Sequence, residues 1–93
     1  MKEKVIWKYA IRIEDDLSIE IPRGGQILSV HNQRGTMCLW VLVNPKHVKE
    51  KRYFKIFGTG HRIIEDRIPL LKVFVGSVQF DDLVFHLFEC ENI

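Results

Sequence analysis

Long apolar runs are missing from this chain. Its apolar segments, such as Cys38-Leu39-Trp40-Val41-Leu42-Val43, fall far short of the ~20 residues a membrane-spanning helix needs. The first residues, Met1-Lys2-Glu3-Lys4, carry no leader-like apolar stretch, so cytosolic residence is expected and no membrane partner. Strong charge of either sign is missing too. Fourteen Lys and Arg against 12 Asp and Glu leave +2, too little to argue for duplex nucleic acid. Cysteine is scarce: Cys38 and Cys90 both sit in apolar segments and read as reduced, buried thiols. The four histidines and two cysteines are scattered, with no C-x2-C or H-x3-H pair, so neither a metal nor a cofactor is expected. Asp15-Asp16 and Asp81-Asp82 fall at turn signals, where carboxylates ordinarily bond backbone. A cysteine–histidine dyad could be drawn in any small domain with these residues. No catalytic residue is assigned, and an enzyme is not expected.

What is present is alternation. Val5, Trp7, Tyr9, Ile11 and Ile13 are apolar at every second position, and Leu17, Ile19 and Ile21 repeat the pattern after Glu14-Asp15-Asp16. These two segments read as a first hairpin, ended by Pro22-Arg23-Gly24-Gly25. A third strand over Gln26–Asn32 turns at Asn32-Gln33-Arg34-Gly35 into Thr36–Val43. That fourth segment is apolar on both parities and is placed centrally. Arg52–Phe57 follows a basic connector; Arg62–Pro69 has little pattern and reads as an irregular loop; Leu71–Gln79 and Leu83–Cys90 make the final pair. No segment holds a 3.6-residue period. The pattern predicts one all-β domain over residues 1–93, an antiparallel β-sandwich or partly open barrel of about seven strands. The basic residues Lys46, Lys49, Lys51, Arg52 and Lys55 read as a solvated stretch that discourages edge pairing.

Between the fifth strand and the loop stands Gly58-Thr59-Gly60-His61. Glycine-rich turns can aim successive amides at an anion. A phosphate loop would need Lys-Ser or Lys-Thr and a helix next, whereas Arg62-Ile63 follows. Two uses remain open: a bend at a sheet corner, or a ligand site using Gly58, Thr59, Gly60, His61 and Arg62. His86 shares a strand face with Val84 and Phe88, where imidazole is costly unless hydrogen-bonded. It is either a satisfied core histidine or part of a pocket or interface. The last strand is apolar on both parities, which suggests a homo-oligomer, although burial inside one sandwich serves equally.

The strings Ile21-Pro22-Arg23-Gly24-Gly25-Gln26-Ile27-Leu28-Ser29-Val30, Cys38–Val43, Gly58–His61 and Leu83-Val84-Phe85-His86-Leu87-Phe88-Glu89 resemble a family of small bacteriophage proteins classed as a domain of unknown function. Arg62 stands where members commonly carry proline. The resemblance implies residence in the host bacterial cytoplasm and a stoichiometric accessory role, including action against host defences. Taken with the residues, the expectation is a non-enzymatic protein that sequesters a small anionic, nucleotide-type ligand. Gly58, Gly60 and Arg62 would hold phosphate, His61 would donate a hydrogen bond, Trp40 would stack on a base, and His86 would join if it lies nearby. The alternative is an interaction module that blocks a host or phage protein through a sheet edge or aromatic surface. A minor structural or assembly subunit is the third.

Overall fold

The computed structural model describes residues 3–91; the outermost residues of the expected 1–93 domain lie outside them. Seven strands follow one another: β1 (Val5–Ile11), β2 (Asp16–Pro22), β3 (Gln26–Gln33), β4 (Thr36–Val43), β5 (Lys49–Gly58), β6 (Leu71–Phe80) and β7 (Leu83–Cys90). They form two antiparallel sheets, ordered β1-β4-β3 and β2-β5-β7-β6. The architecture is the all-β sandwich that the alternation predicts, and the sheets do not close into a barrel. Among the described residues no helix is long and apolar enough to cross a membrane.

β4 explains itself. Met37, Leu39, Val41 and Val43 are at most 1 % exposed on one face, and Cys38 is covered on the other. A strand buried on both faces needs neighbours on both edges, and β4 lies between β1 and β3. The two chains of inward residues meet in one core, with Ile11, Val30 and Leu39 from one sheet against Ile21, Phe54 and Leu87 from the other. The sheets touch along β3 and β6, where the Asn32 side-chain amide donates to the Gln79 carbonyl at 3.0 Å.

The expected first hairpin does not form. β1 pairs with β4, from Val5 opposite Val43 to Ile11 opposite Met37, while β2 pairs with β5, from Asp16 opposite Lys55 to Pro22 opposite Lys49. Residues 12–15 carry the chain from one sheet to the other, and Ile13 is 43 % exposed beyond the end of β1. The reason is physical. A period of two fixes which face is buried but says nothing about the neighbouring strand. A link this short spans the ~10 Å between packed sheets as readily as it closes a hairpin.

Two hairpins are as expected. Arg34 and Gly35 turn β3 into β4 with φ of 52° and 86°, and Asn32 Oδ1 accepts the Gly35 N–H at 2.7 Å. Asp81, at φ 53°, turns β6 into β7. The expected irregular loop contains a short 3₁₀ helix, Glu65–Leu70, with Pro69 inside it. It buries none of its residues, so no apolar period could announce it. Its last carbonyl, that of Leu70, accepts the Glu91 N–H at 3.0 Å and ties the segment to the end of β7.

β5 begins at Lys49, earlier than the expected Arg52, and this disperses the basic cluster. Lys49 lies over the Trp7 ring at 5.9 Å, and Lys55 pairs with Asp16. Arg52 has the inward parity of Phe54 and Ile56 and clasps Glu89 with two bonds of 2.6 and 2.8 Å. Each side chain is only 18 % exposed, and the same guanidinium donates to the Gly25 carbonyl.

Candidate functional site

The glycine string is a closed β-turn at the end of β5. The His61 N–H donates to the Gly58 carbonyl at 3.0 Å, and Gly60, at φ 87°, supplies the left-handed residue the turn requires. The imidazole of His61 then folds back over Gly58. Gly58 N–H donates to His61 Nδ1 at 3.3 Å, and a Cβ on Gly58 would stand 2.8 Å from His61 Cε1. A side chain at this position would therefore push the exposed His61 ring aside. Because Nδ1 accepts, the neutral ring carries its proton on Nε2.

Thr59 pins this turn to β7. Its N–H donates to the Val84 carbonyl at 3.0 Å, and its hydroxyl lies 2.7 Å from His86 Nε2. On the other side of the ring, His86 Nδ1 lies 2.7 Å from the Ser77 hydroxyl on β6. A neutral imidazole offers one donor and one acceptor, and two hydroxyls satisfy both. The string and His86 are thus neighbours, joined through Thr59. Ser77 was not singled out from the sequence, although a signal existed: counting back from Phe80 opposite Leu83 puts Ser77 opposite His86. The hydroxyl–imidazole contacts have no carboxylate behind them to orient the ring, as nucleophilic triads do. Their effect is to lash β5, β6 and β7 together at one end.

The bonds also define what the string can offer a ligand. The amides of Gly58, Thr59 and His61 are spent on His61 Nδ1, Val84 and Gly58. The Gly60 N–H, the Nε2–H of His61 and the guanidinium of Arg62 make no bond among the described residues, so the string offers these instead of a run of amides. Trp40 is not brought here. It sits on β4 opposite Lys8 and Ser29, edge-on to His31 at 5.7 Å, and lines none of the grooves that the string lines.

Three grooves flank His61, the smallest of about 220 Å³ and lined also by Asp82, Leu83 and Phe85. The first, of about 350 Å³, runs between the 61–67 segment and the start of β2; Asp15, Asp16, Lys55, His61, Arg62 and Arg67 supply its charged and polar walls and Phe57 part of its floor. Lys55 is neutralised by Asp16, whereas Arg62 and Arg67 have no carboxylate partner among the described residues. Arg67 lies in the stretch with least pattern, and nothing in its neighbours' spacing marked it. The second groove, of about 260 Å³, is mostly aromatic: Phe57, Phe74 and Phe88 with His61, Ile63 and His86. The Phe57 and Phe88 rings meet edge-to-face at 5.9 Å, and Phe74 tilts on Phe88 at 5.2 Å.

Cysteine chemistry is not poised here. Both thiols are free and buried, on different sheets, and burial raises the Cys90 thiol above its ordinary value. No three His, Cys, Asp or Glu side chains gather as metal ligands among the described residues.

The model of a family described as a domain of unknown function, DUF7352, matches residues 2–92 of the chain. The chain belongs to that family. No curated protein and no solved structure matches it.

Proposed function

We propose that this member of the family is a non-enzymatic binder that sequesters a small anionic, nucleotide-type ligand, held in the groove lined by His61, Arg62 and Arg67 above Phe57. The observation that carries the reading is a pair of arginines in one groove with no carboxylate partner among the described residues. Guanidinium is the side chain best suited to phosphate oxygens, and the inward-facing Arg52 is by contrast committed to Glu89 and the Gly25 carbonyl. The free Nε2–H of His61 adds a donor at the same wall. The roles first expected of the Gly58 amide and Trp40 pass to Arg67 and Phe57.

The resemblance of four motifs to small bacteriophage proteins supports an accessory role in the cytoplasm of an infected bacterium, where stoichiometric capture of a nucleotide signal would act against a host defence. Self-association is part of the proposal, supported by the exposed apolar side chains Ile64, Ile68, Val73 and Phe74. An interaction module that blocks a protein partner is favoured by one observation: Val73 and Phe74 stand 54 % exposed on β6, an edge strand.

Native mass spectrometry of protein purified from bacteria with active nucleotide signalling tests the choice. Sequestration predicts an adduct of nucleotide mass on the wild type, lost on denaturation and absent from Arg62→Ala/Arg67→Ala. Bare protein from every preparation, with a host protein captured through β6, moves the assignment to the interaction module.

A further inference from the structure

The three-stranded sheet carries a groove of its own on its outer face, about 510 Å³ in volume and lined by Lys8, Ala10, Gln33, Arg34, Thr36 and Cys38. It shares no residue with the groove beside Arg62, and its walls hold no carboxylate. We propose that this face binds single-stranded nucleic acid: the sugar-phosphate backbone lies along Lys8 and Arg34, and a base stacks on the neighbouring Trp40.

Strand register builds the site. In the β1–β4 pair Lys8 lies opposite Trp40 and Ala10 opposite Cys38. Leu39 and Val41 point into the core, so the half-buried Trp40 belongs to the outer face with Cys38 and Lys8. Ala10, Thr36 and Cys38 are short side chains, which leaves a groove between the longer ones. Lys8 Nζ donates to Gln33 Oε1 at 2.8 Å, reaching across β4 from β1 to β3. With that oxygen bonded, Lys8, Arg34 and the Gln33 amide group present N–H donors. Neither cation has a carboxylate partner among the described residues. Phosphate oxygens are the acceptors such a set fits.

Spacing favours a strand over a mononucleotide. At ~3.3 Å per residue, β4 runs about 13 Å from Trp40 to Thr36, and Arg34 lies beyond it in the turn. One phosphate cannot serve both ends, whereas successive phosphates of one strand can. Polarity favours nucleic acid over a protein, whose contacts centre on apolar anchors seated in pockets. The long side chains of this groove are instead Lys8, Gln33 and Arg34. Stacking favours a single strand, because a duplex keeps its base faces stacked inside, and a net charge of +2 is too small for duplex binding. His31 meets the Trp40 ring edge-on at 5.7 Å and braces it.

Fluorescence anisotropy of the full chain with labelled oligothymidylate and oligouridylate of about 12 nucleotides tests this, with an unlabelled duplex and polyglutamate as competitors. At least one single strand is expected to bind, the ratio of the two naming the preferred sugar. Duplex and polyglutamate should compete at least ~10-fold less well than the unlabelled strand. Log affinity should fall with log salt at a slope of about −1.4, two phosphates at ~0.7 each. Lys8→Gln/Arg34→Asn should bring that slope close to zero; asparagine tolerates the φ of 52° at this position. Trp40→Leu should weaken binding about 10-fold and Trp40→Phe less than about 3-fold, each variant still melting cooperatively. Arg62→Ala/Arg67→Ala should bind the strand as the wild type does. No binding of either strand, equal competition by polyglutamate or duplex, or an indifferent Trp40→Leu overturns the inference. So does binding lost in Arg62→Ala/Arg67→Ala and kept in Lys8→Gln/Arg34→Asn, a result that leaves the anion site standing.

Discussion

Arg52 and the pair Arg62 and Arg67 carry the same group to opposite ends. Arg52, pointing inward from β5, spends its guanidinium on both oxygens of Glu89 and on the Gly25 carbonyl. That joins β5, β7 and the turn before β3, and the Glu89 carboxylate holds Arg52 above its already high ordinary value. Arg62 and Arg67 follow the string on an exposed segment, with no carboxylate to neutralise them among the described residues. Arg52, which builds architecture, is fully paired; Arg62 and Arg67, which border the groove, are left over. The contrast separates residues that hold the fold from residues that can hold something else.

The sharpest way to break this contrast is to remove each kind of arginine. Arg52→Ala should cost about 2–3 kcal/mol in chemical denaturation, somewhat below the value for a fully buried pair because both partners retain some solvent contact. Arg62→Ala and Arg67→Ala should each stay within about 0.5 kcal/mol of wild type. Equal destabilisation by all three would erase the distinction. Next in size is Gly58→Ala, whose new Cβ would displace the exposed His61 ring and its bond to the Gly58 N–H and should cost up to about 1 kcal/mol. Adding His61→Ala should recover much of that loss in a double-mutant cycle; purely additive losses would mean that the ring and glycine are not coupled.

Tyr9 sharpens the comparison from the other side, since its hydroxyl is buried with no partner among the described residues. Here a polar atom inside the sandwich is left unspent with no groove to serve. Tyr9→Phe should therefore raise stability by about 1 kcal/mol in urea denaturation, and a loss would show that the hydroxyl has a partner in solution. The smallest effect concerns pH. Burial holds the Cys90 thiol protonated above its ordinary value, so the unfolded chain loses that proton first as pH rises. The contribution is complete below the ordinary thiol value and is lost as pH climbs through the raised one. Wild-type stability should fall in that alkaline window more steeply than that of Cys90→Ala.

How much of this was legible in the sequence depends on what each pattern encodes. The two-sided apolarity of β4 placed it correctly between two strands, because burial on both faces leaves no edge to solvent. Alternation in β1 and β2 gave their faces but not their partners, since the link 12–15 crosses between sheets as easily as it turns back. At the site, Gly58-Thr59-Gly60-His61 was visible as an anomaly, but not that the His61 ring folds back over Gly58, a contact made by the closed turn. The meeting of Thr59 with His86 depends on β5 pairing with β7, a register no local spacing specifies. Arg67 was silent because a short exposed helix leaves no periodic trace. Trp40 looked available as an aromatic, yet β4 commits it to the other sheet.

Amide chemical-shift mapping with cyclic AMP on the ¹⁵N-labelled chain tests the central claim most directly. The account predicts perturbations concentrated on Phe57, Gly60, His61, Arg62 and Arg67, vanishing in Arg62→Ala/Arg67→Ala while the spectrum stays folded. Shifts centred on Trp40 and the three-stranded sheet, or an unchanged spectrum at saturating cyclic AMP, would contradict it.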